Sequence, residues 1–152
     1  MALVVGIGNR ARGDDAVGPV VADRVAALGL PGVRVVVDGE PLHLVELLAG
    51  HDEVVVVDAV RPGRSPGRLW VHTVGEAPLR HGSTLGSHGL GVAEAVELAR
   101  ALGRLPGRLT LVGVEAATLS EGAPLSAPVR GAVDDAVRAV LGSLAGAIHL
   151  VP

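Results

Sequence analysis

Cysteine, lysine, phenylalanine and tyrosine are all missing from this 152-residue chain, and Trp70 is its sole aromatic residue. Without cysteine there is no disulfide, no thiolate nucleophile and no sulfur-ligated metal, a composition that fits a reducing compartment. Without lysine there is no Schiff-base chemistry and no P-loop lysine; all thirteen basic residues are arginine. A net charge of −3 and a single ring give neither a basic footprint nor a base-stacking platform, so nucleic acid is not expected as a partner. No apolar stretch approaches the roughly 20 residues of a membrane helix. The opening MALVVGIGNRARGDD has no basic n-region and reaches glycine too early for a signal peptide. These absences lead us to expect a soluble, cytoplasmic protein without membrane contact.

What is present is aliphatic. Hydrophobic residues make up 49% of the chain and charged residues 19%, so it is globular, with a core of Val, Leu and Ala. The length suits one domain over residues 1–152.

Short apolar runs alternate with helical patterns. Leu3 to Ile7, Val33 to Val37, Val54 to Val57 and Leu109 to Val114 read as strands. Continuous β-branched runs of this kind suit parallel strands covered on both faces. Val17, Val20, Val21, Val25 and Leu28 recur at helical spacing, as do Val92 to Leu102 and Val129 to Leu144, and a short helix fits Leu44 to Leu48. Arg68 to Thr73 reads as a strand after a Pro/Gly/Arg turn short enough to favour an antiparallel partner. The expected fold is a three-layer α/β/α sandwich around a mostly parallel, five-stranded sheet with one antiparallel strand.

In open α/β sheets, ligands bind beyond the carboxyl ends of the strands. Acids gather at those ends: Asp14 and Asp15 in the loop after the first strand, then Asp38, Asp58 and Glu115 after the others. Like charges at one buried edge are costly unless a cation or shared protons offset them. The first loop, GIGNRARGDD, is not a nucleotide loop. A dinucleotide fingerprint would need glycine at Ala11, and a P-loop would need Lys and Ser/Thr where Asp14 and Asp15 stand. Asp14 is expected to cap the following helix, which leaves Asp15 as the candidate site acid. Asp58 follows four valines, with the turn supplied later by Pro62-Gly63. Asp38 before Gly39 fits a turn and a site equally well.

His88 lies in a loop of roughly a dozen residues, long enough to suggest function. Ser87 is placed to cap the helix at Val92, leaving the imidazole free. Imidazole with carboxylates suits Ni²⁺, Zn²⁺ or Fe²⁺. The remaining histidines read as bystanders, His81 least clearly because it shares that loop.

Several stretches, in order along nearly the whole chain, resemble the hydrogenase maturation proteases. They are VVGIGNRARGDDAVGPVVADRV near the start, VVVDAV at Val55 to Val60, PGRLW at Pro66 to Trp70, SHGLG at Ser87 to Gly91 and LTLVGVE at Leu109 to Glu115. The resemblance implies an endopeptidase that removes the C-terminal extension of a nickel–iron hydrogenase large-subunit precursor after nickel insertion. Two acids and a histidine would recognise nickel carried by the substrate, and by motif these are Asp15, Asp58 and His88. Asp15 stands where the family often has Glu, so its reach is shorter by one C–C bond, ~1.5 Å. The general base is left between Asp38 and Asp15.

Three rival readings accompany this one. A non-catalytic module could check nickel in a metalloenzyme precursor without cutting it. A nucleotide-dependent enzyme could use the Gly6–Gly13 loop. An aspartic-type peptidase could pair Asp15 with Asp38 or Asp58 and need no metal. Ser83, Thr84 and Ser87 are not framed by a hydrolase elbow.

Overall fold

The computed structural model of the chain describes residues 1–77, 79 and 91–149, with side chains to residue 144. Five strands, β1 (Ala2–Ile7), β2 (Val33–Asp38), β3 (Glu53–Val60), β4 (Leu69–Thr73) and β5 (Arg108–Glu115), form one sheet in the order β2-β1-β3-β5-β4. The first four positions in that order are mutually parallel, and β4 runs antiparallel to β5. The helices are α1 (Val17–Ala27), α2 (Leu44–Leu47), α3 (Val92–Ala101) and α4 (Ala127–His149). The α/β/α layers and the single antiparallel strand agree with the expectation from sequence.

Alternation along the strands sorts the core into two halves. Val4, Val55, Val57, Val112 and Val114 pack with Val17, Val21, Val25, Val133 and Val140 of α1 and α4. Leu3, Val5, Ile7, Val54, Val56 and Leu111 pack on the other face with Leu44 and Leu48 from the α2 side and Val96 of α3. All residues of β1 and β3 are buried, which is why runs of uninterrupted valine form strands here rather than alternating ones.

One strand boundary differs from the sequence expectation: β3 does not stop at Asp58 but continues to Val60 alongside Val114 and Glu115 of β5. The antiparallel partner expected for β4 is β5, which lies between it and β3. Burial explains the order: β5 is covered from Leu109 onward, whereas β4 carries His72 and Thr73 into solvent and suits an edge. Ser87, the expected cap of α3, lies outside the described residues; the cap position itself is held by Gly91.

Helix α1 lies unusually close to the sheet. A Cβ on Gly18 would stand 2.3 Å from the Ile7 carbonyl oxygen and 2.6 Å from that of Val57, and one on Gly6 would stand 2.4 Å from the Gly18 carbonyl oxygen. These two glycines seat the start of α1 directly over β1 and β3. Strand order reverses between β1 and β3, since the chain moves from β1 outward to β2 and then back to β3. That crevice is where open α/β sheets hold their ligands. Among the described residues, no helix is long and apolar enough to cross a membrane.

Candidate functional site

The chain leaves β1 at Gly8 with φ at +148°, a conformation side chains rarely adopt, and a Cβ there would stand 1.9 Å from the Asp15 carbonyl oxygen. The first loop thus folds back on itself, and residues Gly13–Ala16 form a 3₁₀ turn ahead of α1. Asp15 is completely buried in that turn, and Oδ2 of its carboxylate accepts the Asn9 N–H at 2.9 Å.

Asp58 faces it from β3. It is 1% exposed, and its Oδ1 accepts the Ala59 N–H at 2.8 Å. Oδ2 is buried and has no hydrogen-bond partner among the described residues. Burial first, and the neighbouring Asp15 carboxylate second, hold the Asp58 carboxyl well above the ordinary carboxylate value; the Ala59 N–H opposes them. The structure therefore brings Asp15 and Asp58 together across the β1/β3 crevice.

Asp14 does something else. The cap position of α1 belongs to Ala16, which makes no side-chain cap bond, so the expected capping role is not observed. The reason is a better set of partners far away in sequence. The buried Asp14 carboxylate accepts the N–H groups of Ala117 (2.7 Å), Thr118 (3.1 Å) and Ser126 (2.7 Å) and the Ser126 hydroxyl (2.8 Å). Its own N–H donates to the Thr118 carbonyl at 2.9 Å. Asp14 ties the loop after β1 to the loop between β5 and α4, fixing the backbone that carries Asp15.

Asp38 stands on the other side of β1, opposite Ile7, and its carbonyl accepts the Gly8 N–H at 3.0 Å. Both of its carboxylate oxygens lie 2.9 Å from His43 Nδ1, and Oδ1 also accepts the Glu40 N–H at 2.9 Å. It is both a turn former and half of an acid–imidazole pair. His43 had no role in the sequence reading, although its five-residue spacing from Asp38 was the available signal. Glu40 caps the next 3₁₀ turn through the Leu42 N–H at 3.2 Å. Glu115 is occupied too: its buried carboxylate receives the Ser65 N–H.

His88, together with His81, lies outside the described residues. Among the described residues, no three His, Cys, Asp or Glu side chains group closely enough to hold a metal ion. Asp15 and Asp58 supply two carboxylates of hard-oxygen chemistry, and a nitrogen ligand would complete a set suited to Ni²⁺ or Zn²⁺.

The sequence profile of the hydrogenase maturation protease family, HycI, matches residues 22–143. The hydrogenase expression/formation protein HupD of Rhizobium leguminosarum bv. viciae is 34% identical over 140 residues, covering 89% of this chain and 69% of that protein. The hydrogenase 2 maturation protease of Escherichia coli is 29% identical over 146 residues, covering 93% of this chain and 89% of its own length. The structure of the hydrogenase maturating endopeptidase HybD from E. coli superimposes with a TM-score of 0.80 at 27% identity, over 96% of this chain and 93% of that one.

Proposed function

This chain belongs to the hydrogenase maturation protease family and is a peptidase, and on that premise we propose that it removes the C-terminal extension of a nickel–iron hydrogenase large-subunit precursor once nickel has been inserted. The observation that carries the nickel requirement is the Asp15–Asp58 pair. Two buried carboxylates at a sheet switch point, one with an oxygen that has no hydrogen-bond partner among the described residues, form a site that a cation relieves. Nickel carried by the substrate docks there, held by Asp15, Asp58 and His88, so cleavage is gated by the maturation state of the precursor. A zinc ion could occupy the same donors outside that context.

Docking on these residues fixes the scissile amide at the carboxyl edge of the sheet. Hydrolysis adds water to the carbonyl carbon, breaks the C–N bond and delivers a proton to the departing amine. Nickel held by these residues would supply Lewis-acid polarisation of the carbonyl or the water. Asp38 and Asp15 are the two candidates for the base that takes the water proton. Asp38 is the more open, with 24% of its side chain exposed, and His43 at 2.9 Å can share its proton.

Incubation with nickel-loaded precursor, read as a loss of mass equal to the extension, tests the assignment. Asp15→Asn and His88→Ala are each expected to slow cleavage by about 100-fold or more, given the 10- to 100-fold cost of disturbing even the outer shell of a metal site. If Asp38 is the base, Asp38→Asn lowers kcat and leaves KM in place. Undiminished cleavage by Asp15→Asn and His88→Ala overturns the site. A stable complex with no shortened product would instead mark a nickel-checking module. The raised Asp58 carboxyl also favours a second reading, a metal-free acid dyad that shares one proton; cleavage of nickel-free precursor would select it.

A further inference from the structure

The turn that joins β3 to β4, residues 61–68, reads Arg-Pro-Gly-Arg-Ser-Pro-Gly-Arg and holds no acidic residue. On a chain of net charge −3 it gathers three guanidinium groups into eight residues. Arg61 and Arg64 are exposed, and neither pairs with an acid among the described residues. Arg68 lies over the ring of Trp70, 4.3 Å from its centroid.

The turn is built rather than loose. Glu115 organises it: its carboxylate accepts the Ser65 N–H, its carbonyl accepts the Gly67 N–H at 2.8 Å, and its N–H donates to the Arg68 carbonyl at 2.9 Å. The Arg68 N–H closes onto the Ser65 carbonyl at 3.0 Å, and Ala116 N–H bonds the Val60 carbonyl at 3.0 Å. Gly63 backs onto the Glu115 carboxylate, whose Oε2 stands 3.0 Å from where a Cβ would be. Pro62 and Pro66 restrict the remaining backbone. A buried acid is thus spent on holding a basic turn in one shape.

Its location matters as much as its charge. Arg61 is three residues beyond Asp58 and leaves β3 at the same carboxyl edge, a separation of roughly 10 Å at strand rise. A peptide that continues from a scissile bond over Asp15 and Asp58 in the direction of β3 would reach the turn about three extended residues away. A C-terminal extension always carries at least one anion, its terminal carboxylate, and guanidinium is the side chain best matched to carboxylate.

We propose that the β3–β4 turn is a docking surface for the anionic groups of the precursor's C-terminal extension, gripped by Arg61 and Arg64. The proposal rests on the reading of this chain as a C-terminal processing peptidase. Because the arginines are exposed and remote from the reacting bond, they act on substrate capture: they set KM and its salt dependence and leave kcat alone.

Steady-state cleavage of nickel-loaded precursor tests it, with two substrates: the unaltered precursor, and one whose extension has Asp and Glu replaced by amides and a C-terminal amide. Arg61→Glu/Arg64→Glu is expected to raise KM for the unaltered precursor by about tenfold, at the upper end of what two exposed ion pairs supply, with kcat little changed. Added salt should raise KM for the parent protein and not for this variant. The amidated substrate should show no difference between the two proteins. Arg104→Glu, an exposed arginine at the far end of α3, makes the same Arg-to-Glu change away from the turn and should behave like the parent. Equal KM values for parent and double variant on the unaltered precursor overturn the proposal while the processing function stands. A penalty that persists undiminished on the amidated extension also overturns it. Failure of the parent protein to cleave either precursor overturns both readings.

Discussion

At the scale of single residues, the site is defined by what its acids are bonded to. Asp14 has four donors on its carboxylate and is a girder; Asp38 has His43 and a turn N–H; Asp58 has one backbone N–H and a buried oxygen with no partner among the described residues. Folding raises the Asp58 carboxyl above its unfolded value, so the native state holds a proton that the unfolded chain gives up. The stability linked to that proton is intact below the ordinary value of 3.8 and is lost as pH rises through the folded value. Asparagine carries no charge at any pH. Asp58→Asn should therefore gain melting temperature over the parent protein as pH increases from mildly acidic to mildly alkaline, even as it damages cleavage, a trade of activity for stability. Thermal scans across that range decide it, and a difference that is flat or shrinks with rising pH contradicts it. The sequence showed the acids at the strand ends but not their separate duties. Asp14 was expected to cap α1, because its true partners, Ala117, Thr118 and Ser126, lie more than 100 residues away and no local pattern announces them.

At the scale of elements, the position of Asp15 depends on how closely α1 meets the sheet. Gly18 has no room for a side chain against the Ile7 and Val57 carbonyls, and both obstacles are backbone. Gly18→Ala must push the helix start outward, at a cost of about 2–3 kcal/mol, typical of overpacking. Denaturant titration should show that loss, with cleavage falling further than stability alone explains because Asp15 moves with the helix. Unaltered stability would mean that the contact yields cheaply. The strands and helices themselves were legible: valine runs marked β1, β2, β3 and β5, and 3.6-residue spacing marked α1, α3 and α4. The antiparallel sense of β4 was legible from its short turn, but the identity of its partner was not: the buried run of β5 takes the interior position and leaves the half-polar β4 at the edge. The 3₁₀ turn of residues 13–16 was invisible for a related reason, being shaped by contacts from the loop after β5 rather than by its own four residues.

At the scale of the whole molecule, the strand order accounts for why these few side chains meet. The reversal between β1 and β3 opens a crevice at one edge of the sheet; β1 delivers Asp15 to it, β3 delivers Asp58, and β2 brings Asp38 alongside. That edge could be foreseen from alternating strands and helices alone, and the family from five ordered motifs. The third proposed ligand, His88, was suggested by its place in a long loop ahead of α3, and the resemblance strengthened that reading. Under the proposed function, this peptidase reads nickel in its substrate before it cuts. Intact-mass spectrometry of one hydrogenase large-subunit precursor, prepared with and without nickel and incubated with the protein, tests this most directly. The expected result is loss of the C-terminal extension from the nickel-loaded form and no loss from the nickel-free form. Equal trimming of both would contradict it.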